Sequence, residues 1–111
     1  GYQATCHWAF RDQLAMLGVE VVPQRVVIDR NRVTGAGVTS GIDFGFVLLS
    51  LLCGEAVAKM TQLFLEYDPA PPFNAGTPAT AGQGIVQSLM QFGKPLLEAF
   101  QTQTQEIAAQ Q

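Results

Sequence analysis

The sequence predicts an α/β fold in which short strands in the first third of the chain are followed by helices. Residues 19–34 are rich in valine and isoleucine, which favour strands. Residues 42–53 are almost uniformly apolar over a length that suits a helix, and residues 85–100 repeat apolar side chains at helical spacing. The length of 111 residues suits one domain with one hydrophobic core.

The composition excludes several function classes. Hydrophobic residues make up 48% of the chain and charged residues only 14%, against about 25% charged residues in an average soluble domain. No stretch reaches the ~20 consecutive apolar residues of a membrane span, because Asp43, Glu55 and Lys59 interrupt the most apolar region. A net charge of -3, with six lysines and arginines spread along the chain, argues against nucleic-acid binding.

The cysteines point to a reducing compartment. Cys6 and Cys53 have no CxxC neighbour, and no signal peptide is evident. The sequence therefore predicts a soluble, cytoplasmic protein with no membrane or nucleic-acid partner, and it offers no ligand set for a metal or a cofactor.

The first elements are short. Residues 2–6 are compatible with a strand, and the following "HWAFRDQLAMLG" places apolar residues at helical spacing until Gly18 ends the run. Residues 19–35 then predict two or three short strands broken by Pro23. A turn at residues 29–32 makes the last two strands a predicted hairpin.

The middle of the chain predicts two consecutive helices. Ser40 and Asp43 have the spacing of a capping box, so a helix is expected to begin near Gly41. Gly54 and Glu55 mark either a break or a bend, after which the pattern continues helically to Tyr67.

The last third predicts a loop and an amphipathic helix. Residues 68–84 contain four prolines and three glycines, which predict an irregular segment. The helix that follows from Ile85 is expected to kink or restart at residues 93–95. The Gln-rich tail after Gln101 is expected to fray.

The helix predicted over residues 42–53 is apolar on all sides and must be covered on both faces. Burial of each such side chain stabilises by about 1.5–3 kcal/mol, so leaving half of them in water costs more than a small domain's whole stability. The few strands and the one other good helix are insufficient cover. The chain is therefore expected to be part of a larger α/β unit, or to associate extensively.

The turn Gly35 to Ser40 reads GxGxxS after a strand and before a helix, which is an incomplete dinucleotide fingerprint. Its context argues against nucleotide binding, because the preceding strand belongs to a hairpin and no second parallel strand follows with an acidic end. A plain strand-to-helix turn and a turn that borders a pocket both remain open.

His7 is the only histidine, so any histidine-dependent step in this chain must use it. It follows a strand, at the end where open α/β sheets place ligands, but a capping histidine bonded to backbone is the simpler interpretation. Neighbouring residues of a strand face opposite ways, so Cys6 is not expected to pair with it. Cys6 and Cys53 are predicted to be buried, and Ser40, Asp43 and His7 do not form a convincing hydrolase triad.

Three stretches together resemble the carboxyl-terminal half of the ThiJ/PfpI superfamily, most closely its isonitrile hydratase branch. They are "GYQATCHWAF", "RVVIDRNRVTGAGVTSGIDFGFVLLSLLCGEAVAKMTQLFLEYDPAPPF" and "AGTP". The LEYDPAPPF part is specific to the branch, whereas the TxHW and TGAGVTSGIDF parts are shared more widely. The resemblance divides the chain into residues 1–81, the carboxyl-terminal half of that domain, and residues 82–111, an amphipathic helix with a Gln-rich tail.

The resemblance implies a flavodoxin-like three-layer α/β/α sandwich, the fold of class I glutamine amidotransferases, of which this chain is the carboxyl-terminal part. It also implies a cysteine enzyme, a hydro-lyase that adds water to an isocyanide to give an N-substituted formamide. The nucleophilic cysteine and its acidic partner are expected upstream, so no catalytic residue is expected in this chain. The expected pocket-lining residues are His7, Trp8, Gly37, Val38 and Thr39.

The expected partners are an isocyanide substrate, the amino-terminal half of the same domain and a second copy in a homodimer. No cofactor is implied. Two alternatives within the superfamily are a non-enzymatic ligand-sensing regulator and a redox or carbonyl-stress protein. A DNA-binding module would favour the regulator, but the chain ends in a Gln-rich helix without a helix-turn-helix pattern.

Overall fold

A computed structural model describes residues 1–111 and divides them into two compact units, Gly1–Asp68 and Pro69–Gln111. Strands occur only in the first unit, and both units contain helices. The mixed composition of the predicted α/β class is thus present, with its strands in the first third of the chain.

The first unit begins with a parallel strand pair. Strand β1 (Gln3–Ala4) pairs with β2 (Glu20–Val21), and the connection holds a 3-10 turn (Trp8–Phe10) and helix α1 (Arg11–Met16). A parallel pair requires such a crossover, because its strands enter from the same end. Gly18 ends the connection with a φ of +82°, which suits glycine.

The predicted hairpin is confirmed. Strands β3 (Val26–Asp29) and β4 (Arg32–Gly35) are antiparallel, with Val26 opposite Gly35 and Asp29 opposite Arg32. The Asp29 carboxylate also accepts the backbone N–H of Gln3 at 2.7 Å. This contact ties the hairpin to the amino-terminal strand.

Two helices follow the hairpin. Helix α2 (Ser40–Cys53) begins one residue before the predicted start, and α3 (Glu55–Phe64) begins after Gly54, which has a φ of +94°. The predicted break at Gly54 is confirmed. Helix α3 ends at Phe64 rather than at the predicted Tyr67, because Glu66 takes a φ of +50° that a right-handed helix does not allow.

The apolar surfaces of α2 and α3 are largely uncovered. Leu52 is 74% exposed, Leu63 81% and Phe64 87%. Cys53 is also exposed, so its predicted burial is wrong for this chain: the layer that would cover this side of α2 is not formed by these residues. The exposed leucines and phenylalanine agree with the expectation that the chain is part of a larger α/β unit.

The second unit is helical. A short helix α4 (Pro78–Ala81) interrupts the segment predicted to be irregular, and Thr77 and Thr80 form a capping box at its start. Helix α5 (Gln83–Phe92) ends at Gly93, and α6 (Lys94–Ala109) restarts with Pro95 in its first turn, as predicted. Helix α6 continues through the Gln-rich tail to Ala109, where glutamine and alanine are good helix formers. None of the helices is long and apolar enough to cross a membrane.

Candidate functional site

His7 lies where strand β1 gives way to the 3-10 turn. Its Nδ1 accepts a hydrogen bond from the backbone N–H of Ala9 at 3.1 Å, so the side chain caps the turn. The ring stacks on Trp8 with a centroid separation of 5.4 Å and contacts Phe10 at 5.7 Å. The capping role that the sequence suggested is confirmed, and the imidazole is fixed in orientation.

The cap also fixes which ring nitrogen carries the proton. A nitrogen that accepts a hydrogen bond has a free lone pair, so in the neutral imidazole the proton resides on the other nitrogen. Because Nδ1 accepts from Ala9, neutral His7 carries its proton on Nε2. His7 therefore presents a hydrogen-bond donor rather than a base.

The glycine turn lies against His7. A Cβ placed on Gly37 would lie 3.3 Å from Cδ2 of His7, which is closer than the separation of about 3.5–4.0 Å preferred by carbon atoms. A side chain at Gly37 would therefore require His7 or the turn to shift by a few tenths of an ångström. The structure thus brings together two of the residues predicted to line the pocket.

Ser40 closes the turn from the helix side. Its Oγ donates to the carbonyl of Gly37 at 2.5 Å, and the residue is only 1% exposed. The N-cap residue is Thr39, which makes no side-chain capping bond. The capping box predicted for Ser40 and Asp43 is therefore wrong, because both side chains have other partners.

Asp43 is bound from two distant segments. Oδ2 accepts from Nε of Arg25 at 2.6 Å, and Oδ1 accepts from the hydroxyl of Tyr67. The hydrogen bond from Tyr67 lowers the pKa of Asp43, and Arg25 lowers it further against the opposing effect of burial. The same bond raises the pKa of Tyr67. Asp43 is thus held ionised.

Cys6 is not poised as a nucleophile. Partial burial raises the pKa of its thiol, and the positive charge of Arg11 offsets this only in part. The thiol donates weakly to the carbonyl of His7 at 3.4 Å and not to its ring. The residue is half-buried, which is less than predicted.

Thr5 is the residue at this site that the sequence analysis did not single out. It is 4% exposed, and its backbone N–H donates to Oγ1 of Thr34 at 3.0 Å. Its own Oγ1 is buried and makes no hydrogen bond within this chain, as is also true of Nε of Arg11. An unsatisfied buried hydroxyl costs about 1–3 kcal/mol. The available signal was the TxHW pattern at residues 5–8, of which Thr5 is the first residue.

The remaining predicted pocket residues lie on the same two segments. Trp8 stacks on His7, whereas Val38 is 94% exposed at the tip of the glycine turn, beside Thr39. The arrangement thus combines an oriented imidazole with an exposed turn. It can donate a hydrogen bond, but within this chain it contains no activated nucleophile.

Comparison with known proteins gives consistent matches. Residues 1–51 match the sequence model of the DJ-1/PfpI family. Over 109 residues, 98% of this chain, the sequence is 44% identical to an isonitrile hydratase from Pseudomonas putida, of which it covers 48%. A crystal structure of a THiJ/PfpI family protein from Pseudomonas syringae aligns with a TM-score of 0.85 and 44% identity, covering 97% of this chain and 43% of that one.

The structural match confirms the predicted α/β fold class. The chain spans about half the length of each of these relatives.

Proposed function

We propose that this chain is part of an isonitrile hydratase-like enzyme, because residues 1–51 match the DJ-1/PfpI family and the chain shares the fold of a THiJ/PfpI family protein. The observation that carries the proposal is the 44% identity to an isonitrile hydratase over almost the whole chain. The proposed substrate is an isocyanide and the proposed product an N-substituted formamide.

The proposed reaction is a net addition of water. A cysteine thiolate attacks the terminal carbon of R–N≡C and forms a carbon–sulfur bond, and an acid supplies a proton to the same carbon to give a thioimidate. Water then adds to that carbon and the thiolate leaves, which yields R–NH–CHO. The two protons and the oxygen of one water molecule account for the difference between substrate and product.

The proposal places the nucleophile and its acidic partner outside these residues, in the amino-terminal half of the domain. The chemistry of the two cysteines supports this. The raised pKa of Cys6 keeps it a thiol at neutral pH, and Cys53 lies at the end of α2, away from the glycine turn. The same amino-terminal half would cover the exposed leucines of α2.

The proposed contribution of this chain is a pocket wall. His7 offers its Nε2–H as a donor, and Gly37 lets the turn approach the imidazole closely. Oriented donors stabilise charge where it develops during a reaction.

The test is an isocyanide hydration assay on the full-length protein that contains this chain. Alkyl and aryl isocyanides are incubated with the folded protein, and the formamide is quantified by chromatography. Turnover that is lost on alkylation of a cysteine outside these residues supports the proposal.

His7→Gln serves as the variant within this chain, with Tyr2→Phe as a matched control on the same strand segment. Glutamine retains a side-chain donor but not the ring stacking on Trp8. A fall in turnover in His7→Gln alone supports the pocket-wall role. A folded protein that hydrates none of the isocyanides contradicts the proposal. Peroxide oxidation of its cysteine without isocyanide turnover would instead favour a redox role.

A further inference from the structure

A network of three side chains lies beside the glycine turn, and we call it the Asp43 network. Tyr67 donates to one carboxylate oxygen of Asp43, and Arg25 donates to the other at 2.6 Å. The ring of Tyr67 also stacks on Phe46 with a centroid separation of 5.4 Å. Both oxygens of Asp43 are therefore occupied by donors from segments distant in sequence.

The Asp43 network contacts the turn from both of its ends. On the strand side, the carbonyl oxygen of Arg25 accepts the backbone N–H of Ala36 at 2.9 Å. On the helix side, Asp43 stands in the first turn of α2, where Ser40 bonds back to the carbonyl of Gly37. The glycine turn is thus flanked by Arg25 on its strand side and by Asp43 on its helix side, and these two side chains form an ion pair.

A further contact links the turn to the imidazole. Gly37 approaches Cδ2 of His7 so closely that an added methyl group would lie at 3.3 Å. Since His7 is held by its own cap and by Trp8, a displacement of the turn changes the spacing between the two.

We propose that Arg25, Asp43 and Tyr67 are positioning residues, which fix the glycine turn against His7 and thereby set the geometry of the pocket wall. The expected effect on catalysis rests on the proposed function, whereas the expected effect on the position of the glycine turn does not. None of the three residues is proposed to touch the substrate.

The geometry distinguishes this network from an ordinary surface ion pair. The side chains of Glu55 and Lys59 lie 2.7 Å apart but are 74% and 72% exposed, and such pairs contribute little. In the Asp43 network the Arg25 side chain is 56% exposed but that of Asp43 only 32%, and a stacked tyrosine occupies the second oxygen of Asp43. Both partners of Asp43 also belong to segments that lie outside its own helix.

The test uses Tyr67→Phe in the full-length protein that contains this chain. This variant removes the hydroxyl and keeps the ring stacked on Phe46. The matched control is Tyr2→Phe. It removes a hydroxyl that donates to Oδ1 of Asn31 at 3.3 Å, in the turn between β3 and β4. One readout is the imidazole resonance of His7 in a carbon–proton correlation spectrum, identified by its loss in His7→Gln. The other is kcat and KM for an alkyl isocyanide.

We expect the His7 resonance to move in Tyr67→Phe and not in Tyr2→Phe. We also expect kcat to fall about tenfold with KM changed by less than about twofold, because loss of one hydrogen bond to a charged group misplaces a group that acts in the transition state. Asp43→Asn should give a similar change, and the double variant should be no worse than the more damaging single one.

Three results would overturn the positioning role: an unmoved His7 resonance in Tyr67→Phe, an equal shift in Tyr2→Phe, or additive losses in the double variant. If the unmodified protein hydrates no isocyanide, the proposed function fails by itself. The His7 resonance then still decides whether the Asp43 network positions the turn.

Discussion

Replacing Gly37 with alanine tests the contact on which the candidate site depends. The added Cβ would lie 3.3 Å from Cδ2 of His7, so one of the two groups must move by a few tenths of an ångström. His7 resists this movement because Ala9 bonds its Nδ1 and Trp8 stacks on its ring. The turn resists it through the bonds of Ser40 and Ala36.

The size of the effect follows from two opposing contributions. Overpacking of this kind costs about 1–3 kcal/mol, whereas alanine restricts the unfolded chain and returns about 0.4–1 kcal/mol. The φ of Gly37 is not in the left-handed region, so no backbone strain adds to the cost. We expect a net loss of roughly 0.5–2 kcal/mol in the free energy of unfolding. We also expect kcat/KM to fall because the turn is displaced from His7; a tenfold fall would correspond to a loss of ~1.4 kcal/mol of transition-state stabilisation.

The assay is urea denaturation and isocyanide turnover of the full-length protein, with Gly41→Ala as the control. A Cβ on Gly41 has no neighbouring atom within 4 Å in this chain and lies in a helix, where alanine is favoured over glycine by about 1 kcal/mol. Gly41→Ala leaves the contact with His7 unchanged, so it should not reproduce the losses expected for Gly37→Ala. Full activity and unchanged stability in Gly37→Ala would refute the close-contact argument.

Three further predictions concern the charge of Asp43, the reactivity of the two cysteines and the burial of α2. Hydrogen bonds from Tyr67 and Arg25 lower the pKa of Asp43, so its stabilising contribution is present above the unfolded pKa of about 3.9 and is lost as pH falls through the lower folded value. The free energy of unfolding of Asp43→Asn should therefore fall less steeply with pH below about pH 4. An identical pH profile in the two proteins would contradict this. In the 111-residue chain, iodoacetamide should modify Cys53 before Cys6, because Cys53 is exposed whereas partial burial raises the pKa of Cys6. Modification of Cys6 first would contradict this prediction. Leu52→Glu should be tolerated in the 111-residue chain, where Leu52 is 74% exposed. In the full-length protein it should cost about 2–5 kcal/mol if the rest of the domain covers α2. Equal stability of variant and unmodified full-length protein by calorimetry would contradict burial of Leu52.

The sequence predicted correctly the strands, helices and caps that depend on residues close together in the chain. The hairpin at residues 26–35 follows from β-branched runs on either side of a turn. Helix α2 follows from its apolar length and from Gly54 at its end, although the capping box from which its start was predicted is absent. The cap by His7 also came from local pattern, since it involves an N–H two residues away.

Features with distant causes were missed or mistaken. The capping box at Ser40 failed because Asp43 bonds Arg25, 18 residues away, and Tyr67, 24 residues away. No local spacing encodes those pairs. Burial of Cys53 was inferred from the apolar helix around it, but burial depends on residues that cover the helix and not on the helix itself.

The bare apolar surfaces of α2 and α3 have a practical consequence for protein engineering. Leu52, Leu63 and Phe64 would each contribute about 1.5–3 kcal/mol on burial, so much of the stabilisation of this segment becomes available only on association. A chain stabilised in this way has a melting temperature that rises with the concentration of its binding partner. Under the proposed function, this segment expressed separately would be one half of a split reporter, in which recovered isocyanide hydration would signal that two fused proteins have met.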